Sequence, residues 1–155
     1  MENQDLRYAR ETTESLFREY GIVGLVRIGS GSRKSYHRAQ SDGTSLIVYG
    51  IGMMDNFYAS GFSGTYDYFI GKYGRNVLTG RAAVHALVLH EVAHAIQRKR
   101  GQRFAGSVHN SYFWGICKEL DEKYPCGKVE DKLGRELATL LASSDVDLAA
   151  IRGMF

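Results

Sequence analysis

The chain has 155 residues, 44% of them hydrophobic and 24% charged, which is enough for one compact core and excludes a low-complexity or fibrous protein. Its net charge of +3 is a mild basic excess, too small to name an anionic partner by itself. With only Cys117 and Cys126 present and no CxxC pair, a disulfide framework and a cysteine zinc ribbon are both excluded, and reduced thiols are expected.

The start Met1-Glu2-Asn3-Gln4-Asp5 has no basic segment followed by an apolar one, and no run approaches membrane-spanning length. One soluble, cytoplasmic domain over residues 1–155 is the expectation. Leu6, Ala9, Thr13, Leu16, Phe17 and Tyr20 recur at three- and four-residue spacing before Gly21, the pattern of an amphipathic helix with a stop signal. Ile22 to Ile28, Lys34 to Gln40 and Ser45 to Tyr49 read as three short strands joined as hairpins, the second turn carrying Asp42-Gly43.

Tyr49 to Gly74 mixes aromatics with glycines and shows no regular period. Long loops of this kind border clefts or fold their aromatics back as core, and the two readings stand level. Thr79 is a suitable N-cap for a helix to about Arg100, with Gly101 as its stop and Arg98, Lys99 and Arg100 at the negative end of its dipole. Ala82 to Leu89 is apolar nearly all round, so this helix belongs at the centre. A further helix is expected from about Ser107 to Tyr124, before Pro125. A last helical region begins near Lys128, and Ser144 with Asp147 suits a short final helix. The pattern predicts an α+β fold: an N-terminal helix, a three-stranded mostly antiparallel meander, a central helix, a second ligand helix and C-terminal helices.

The central helix carries His90-Glu91-Val92-Ala93-His94. At about 100° per residue, His90 and His94 are offset by only about 40°, so two imidazoles can address one ion. Glu91 is one step round, placed to take a proton from a water beside the metal without ligating it. That division of labour suits peptide-bond hydrolysis with zinc: the metal acidifies its water to a pKa of about 7 and polarises the carbonyl, while the carboxylate moves the proton. A polar helix face with core histidines is the plainer alternative.

A catalytic zinc needs a third protein ligand. His109 precedes Phe113, Ile116, Cys117 and Leu120 at helical spacing and would lie on the ridge facing the central helix. Glu119 is the runner-up, with Glu122 behind it. His85, about 140° from His90, should face away, and His37 sits in a strand that could line the cleft. Tyr112, Tyr36 and Tyr49 are candidate donors to an oxyanion, none favoured by its position alone.

His90-Glu91-Val92-Ala93-His94-Ala95-Ile96-Gln97, a basic loop, then His109-Asn110-Ser111-Tyr112-Phe113 and Leu120 together resemble the SprT-like (Spartan) zinc metallopeptidases, in which a third histidine on the next helix is followed four residues later by an aromatic. The likeness covers roughly residues 80–124 directly, and the preceding helix and strands are similar to that family's small zincin scaffold. It implies His90, His94 and His109 as the metal ligands, Glu91 as the catalytic base, Zn2+ as cofactor and a protein or peptide as substrate. The chain departs from the family at Asn110, where glycine is usual; asparagine tolerates left-handed backbone, so the turn is expected to survive. It also lacks the cysteine zinc ribbon that many members carry.

Family members that cleave DNA-crosslinked proteins make single-stranded DNA a partner to consider. Arg98-Lys99-Arg100 with Arg103, and Arg33-Lys34 with His37 and Arg38, could contact phosphates, and the aromatic segment could stack bases. Helix-end cations and a glycine-rich loop explain the same residues without DNA. The competing class is a non-catalytic DNA- or protein-binding module in which zinc only pins two helices.

Overall fold

The computed structural model describes residues 4–29, 35–52, 68–74 and 78–126. Within them the order is α1 (Gln4–Tyr20), β1 (Gly24–Gly29), β2 (Tyr36–Ala39), β3 (Ser45–Gly50), α2 (Tyr68–Tyr73), α3 (Gly80–Lys99) and α4 (Ser111–Lys123), an α+β arrangement. The C-terminal helical regions expected from Lys128 onward lie outside the described residues, as do Arg33, Lys34 and the aromatics from Phe57 to Tyr66.

Helix α1 buries the stripe Leu6, Ala9, Thr13, Leu16 and Phe17. It ends at Gly21, whose φ of +66° allows Ile22 N–H to reach back to Phe17 O at 2.8 Å. The last carbonyls, of Tyr20 and Gly21, accept from Lys99 Nζ at 2.7 and 2.8 Å, which ties the end of α1 to the end of α3.

The sheet is not the expected meander. Its order is β1-β3-β2, with β1 parallel to β3 and only β2 antiparallel to it. The physical reason lies in β3: all six of its residues are buried, and a run such as Leu46-Ile47-Val48-Tyr49 needs cover on both faces and a partner on both edges. The more polar β1 and β2 take the edges. The β2–β3 hairpin turns at Asp42-Gly43 as expected, with Gly43 at φ +89° and Thr44 N–H donating to Asp42 Oδ1 at 3.0 Å.

Helix α3 is the centre of the core. It buries Ala83, Val84, Ala86 to Leu89, Val92, Ala93, Ala95 and Ile96, with α1, α4 and the sheet packed around it. Gly101, at φ +68°, closes it through Gln102 N–H to Gln97 O at 2.9 Å. Helix α4 lays Phe113, Ile116, Cys117 and Leu120 into the same core. Part of the aromatic segment proves to be core-forming helix: α2 buries Phe69, while Lys72 Nζ and Tyr73 OH donate to the buried Asp121 carboxylate at 2.6 and 2.8 Å. Among the described residues no helix is long and apolar enough to cross a membrane.

Candidate metal centre

His90 and His94 stand one turn apart on α3, their ring centroids 5.0 Å from each other. His109 completes a triangle, 5.3 Å from His90 and 4.9 Å from His94. One nitrogen from each ring lies within 4.8 Å of the other two, so the three together could hold one metal ion. The donor chemistry fits such an ion: burial, helped by the neighbouring His90 and His109 rings, holds the His94 pKa down to about 2, so that imidazole is neutral with a lone pair to give. Its Nδ1 is buried without a hydrogen-bond partner among the described residues.

His109 reaches this position by a different route from the one expected. Helix α4 begins at Ser111, not near Ser107, so His109 lies in the loop before the helix and not on its apolar ridge. The start is set by Asn110, whose side-chain oxygen accepts from Phe113 N–H at 3.1 Å as an N-cap. Asn110 has φ −92° and ψ −178°, an extended conformation, so the left-handed turn expected of it does not occur. Its Nδ2 donates to Gln102 O at 3.0 Å and Ser107 O at 2.8 Å. Gln97 Nε2, from the buried end of α3, donates to Val108 O at 2.7 Å and to Asn110 Oδ1 at 3.2 Å. Two side-chain amides thus hold the loop that carries His109.

Phe113 forms the floor. It is fully buried and touches all three imidazoles, stacking on His94 at 4.3 Å and meeting His90 and His109 edge-on at 5.0 Å each. Trp114 stacks on His109 at 5.6 Å with ring planes 20° apart. An apolar aromatic wall behind the donors strengthens any electrostatic interaction in front of them.

In front lies a cleft of about 230 Å³. His90, Glu91, His94 and His109 line it, together with Tyr36 and His37 from the edge strand β2, Ser35 just before that strand, and Arg103. Glu91 is buried, with 4% of its surface exposed, yet it borders this cleft beside both helical histidines.

His37 joins the site without joining the triangle. Its ring lies 6.1 Å from His94, stacked at 21°. Nδ1 accepts from Arg103 Nη1 at 2.8 Å, which leaves Nε2–H to donate to Ser45 Oγ at 3.0 Å. Burial first, then the Arg103 and Arg98 guanidiniums, hold its pKa down to about 4.

The remaining candidates separate cleanly. His85 faces away as expected, its Nδ1 at 2.7 Å from Tyr8 OH and its Nε2 at 2.8 Å from Tyr124 O. Glu119 pairs with Arg100 at 3.1 Å on the surface and takes no part in the triangle. Tyr49 is fully buried and hydrogen-bonded to Thr13 Oγ1 at 2.7 Å, and burial raises its phenol pKa. Tyr112 stands exposed beside Phe104, 6.5 Å between rings, so of the three tyrosines only Tyr36 lines the cleft.

Each cation of the basic cluster Arg98-Lys99-Arg100 at the end of α3 has a partner within the protein. Arg98 clasps the hairpin turn through Gly43 O, Thr44 O and Gln40 O at 2.7 to 3.1 Å, Lys99 caps α1, and Arg100 pairs with Glu119. Place in the chain groups Arg103 with these cations, whereas in the structure it lines the cleft. His37 and Arg103 are 66 residues apart, and neither has local spacing that betrays their pairing.

Compared with protein-family models, with curated proteins and with solved structures, the chain matches none significantly.

Proposed function

We propose that the protein is a zinc-dependent peptidase of the SprT-like kind. The observation that supports it most is the convergence of His90, His94 and His109 on one point, beside the carboxylate of Glu91 and in an open cleft. Zinc suits three neutral imidazoles, and the group has three members among the described residues, which leaves a coordination position open as catalytic sites require. When bound there, the ion would supply Lewis acidity, lowering the pKa of a water and polarising a carbonyl. Glu91 then takes the proton of the attacking water and passes it to the leaving amine nitrogen. The substrate is a protein or peptide: β2 is an edge strand whose Tyr36 and His37 line the cleft, so an extended chain can pair along it.

A cytoplasmic location is supported by two buried cysteines, Cys117 and Cys126, neither of them in a disulfide. DNA-associated or DNA-crosslinked proteins as substrates, and single-stranded DNA as a partner, rest on the family likeness, because Arg98, Lys99 and Arg100 each have a partner within the protein. A non-catalytic zinc module would need a closed set of four protein ligands.

Glu91→Gln is the test. The variant should keep its zinc and lose hydrolysis of an unstructured protein such as casein, by about 100-fold or more if Glu91 is the general base. An unchanged rate would remove the mechanism, and a wild-type chain that binds zinc without hydrolysing anything would favour the binding module.

A further inference from the structure

Arg103 is an unexpected neighbour for three histidines that converge to bind a cation. Among the described residues lining the cleft it is the one permanent positive charge, and no described carboxylate pairs with it. Its recorded partner is neutral: Nη1 donates to His37 Nδ1 at 2.8 Å, and His37 is held in turn by Ser45 Oγ at 3.0 Å. A loop pin needs a hydrogen-bond donor there, and a charge adds nothing to that task. A second cation beside the metal position opposes metal binding unless negative charge comes to lie between the two. His37 stacks against His94 at 6.1 Å, so its hydrogen bond holds the guanidinium in the cleft that the triangle lines. An arginine set in this way is a preorganised acceptor of negative charge.

We infer that Arg103, oriented by His37, stabilises the oxyanion that forms on the substrate carbonyl, the role for which Tyr112, Tyr36 and Tyr49 were the sequence candidates. The inference rests on the peptidase reading. In the step, the water oxygen bonds to the carbonyl carbon as its proton passes to Glu91, and the carbonyl π pair moves onto oxygen. That oxyanion accepts hydrogen bonds from the Arg103 guanidinium. Its electron pair then returns, the carbon–nitrogen bond breaks, and the proton from Glu91 goes to the amine, leaving a carboxylic acid and an amine. Arg103 touches the reacting atoms and is a catalytic residue; His37 is a positioning residue.

The test uses the full chain loaded with zinc and casein carrying a quenched fluorescein label. Arg103→Ala should lower kcat about 100-fold or more, the loss typical of one oxyanion donor. KM and zinc affinity should stay within about threefold, the latter read from the fluorescence of Trp114, which stacks on His109. Arg103→Lys should recover part of the lost kcat, and His37→Ala should lower kcat about tenfold with KM unchanged. Two results overturn the inference while leaving the peptidase reading intact: kcat of Arg103→Ala within about threefold of wild type, or a loss of kcat matched by an equal loss of zinc. A wild-type rate no greater than that of Glu91→Gln overturns both.

Discussion

Helix α3 and the segment from Gly101 to Asn110 bring groups to the same cleft by different means. The helix holds His90, Glu91 and His94 through a body buried on nearly every side, so their relative positions follow from backbone geometry and apolar packing. The segment carries Arg103 and His109, is exposed over much of its length, and is held by Gln97, Asn110 and a short bridge between Phe104 and Ser107. A helix-borne pair is therefore robust, whereas the loop-borne third member depends on a few polar atoms.

The largest expected effect falls on what the two regions share. Phe113→Ala removes the floor under all three imidazoles and leaves a cavity at a fully buried position, at a cost of about 3–5 kcal/mol in denaturant unfolding. A loss below about 1 kcal/mol would show that the floor collapses without penalty and that the two regions are less coupled than the packing indicates.

Acid should act next. His37 and His94 are held neutral by the fold, at about 4 and about 2 against an ordinary 6.5. Groups whose pKa is depressed on folding contribute fully above their ordinary value, and the contribution is lost as pH falls from there toward the folded values. The metal-free protein should thus lose roughly 2–3 kcal/mol between pH 7.5 and pH 5.5, most of it below about pH 6.5. Thermal unfolding across that range checks the sign, and a midpoint that rises with acid would contradict it.

The smallest effect distinguishes the regions. Asn110→Ala removes the α4 cap and the hydrogen bonds to Gln97, Gln102 and Ser107, and should cost only about 1–2 kcal/mol in stability. Metal affinity should nevertheless fall about 10–100-fold, because the variant releases His109 while α3 stays intact. Equal affinity in mutant and wild type would show that His109 is placed by something other than Asn110.

The same contrast explains what was legible beforehand. The α1 stripe, the Asp42-Gly43 turn and the histidine pair on α3 are local patterns, and each stands where its spacing put it. The strand order was not legible as hairpins, because adjacency in the chain says nothing about which strand needs covering; the clue was the unbroken apolar run of β3. His109 was legible as a residue and misread as a helix position, since Asn110 serves as a cap and α4 starts after it. The pairing of His37 with Arg103 joins β2 to the start of the loop after α3 and exists only once the sheet packs on α3.

The most direct test of the metal centre is zinc stoichiometry, measured by native mass spectrometry on the purified full chain. One zinc per chain is expected in wild type and in Glu119→Ala, whose carboxylate pairs with Arg100 on the surface. His109→Ala should lose the ion under the same conditions. Full zinc occupancy in His109→Ala, or loss of zinc from Glu119→Ala, would contradict the three-histidine site.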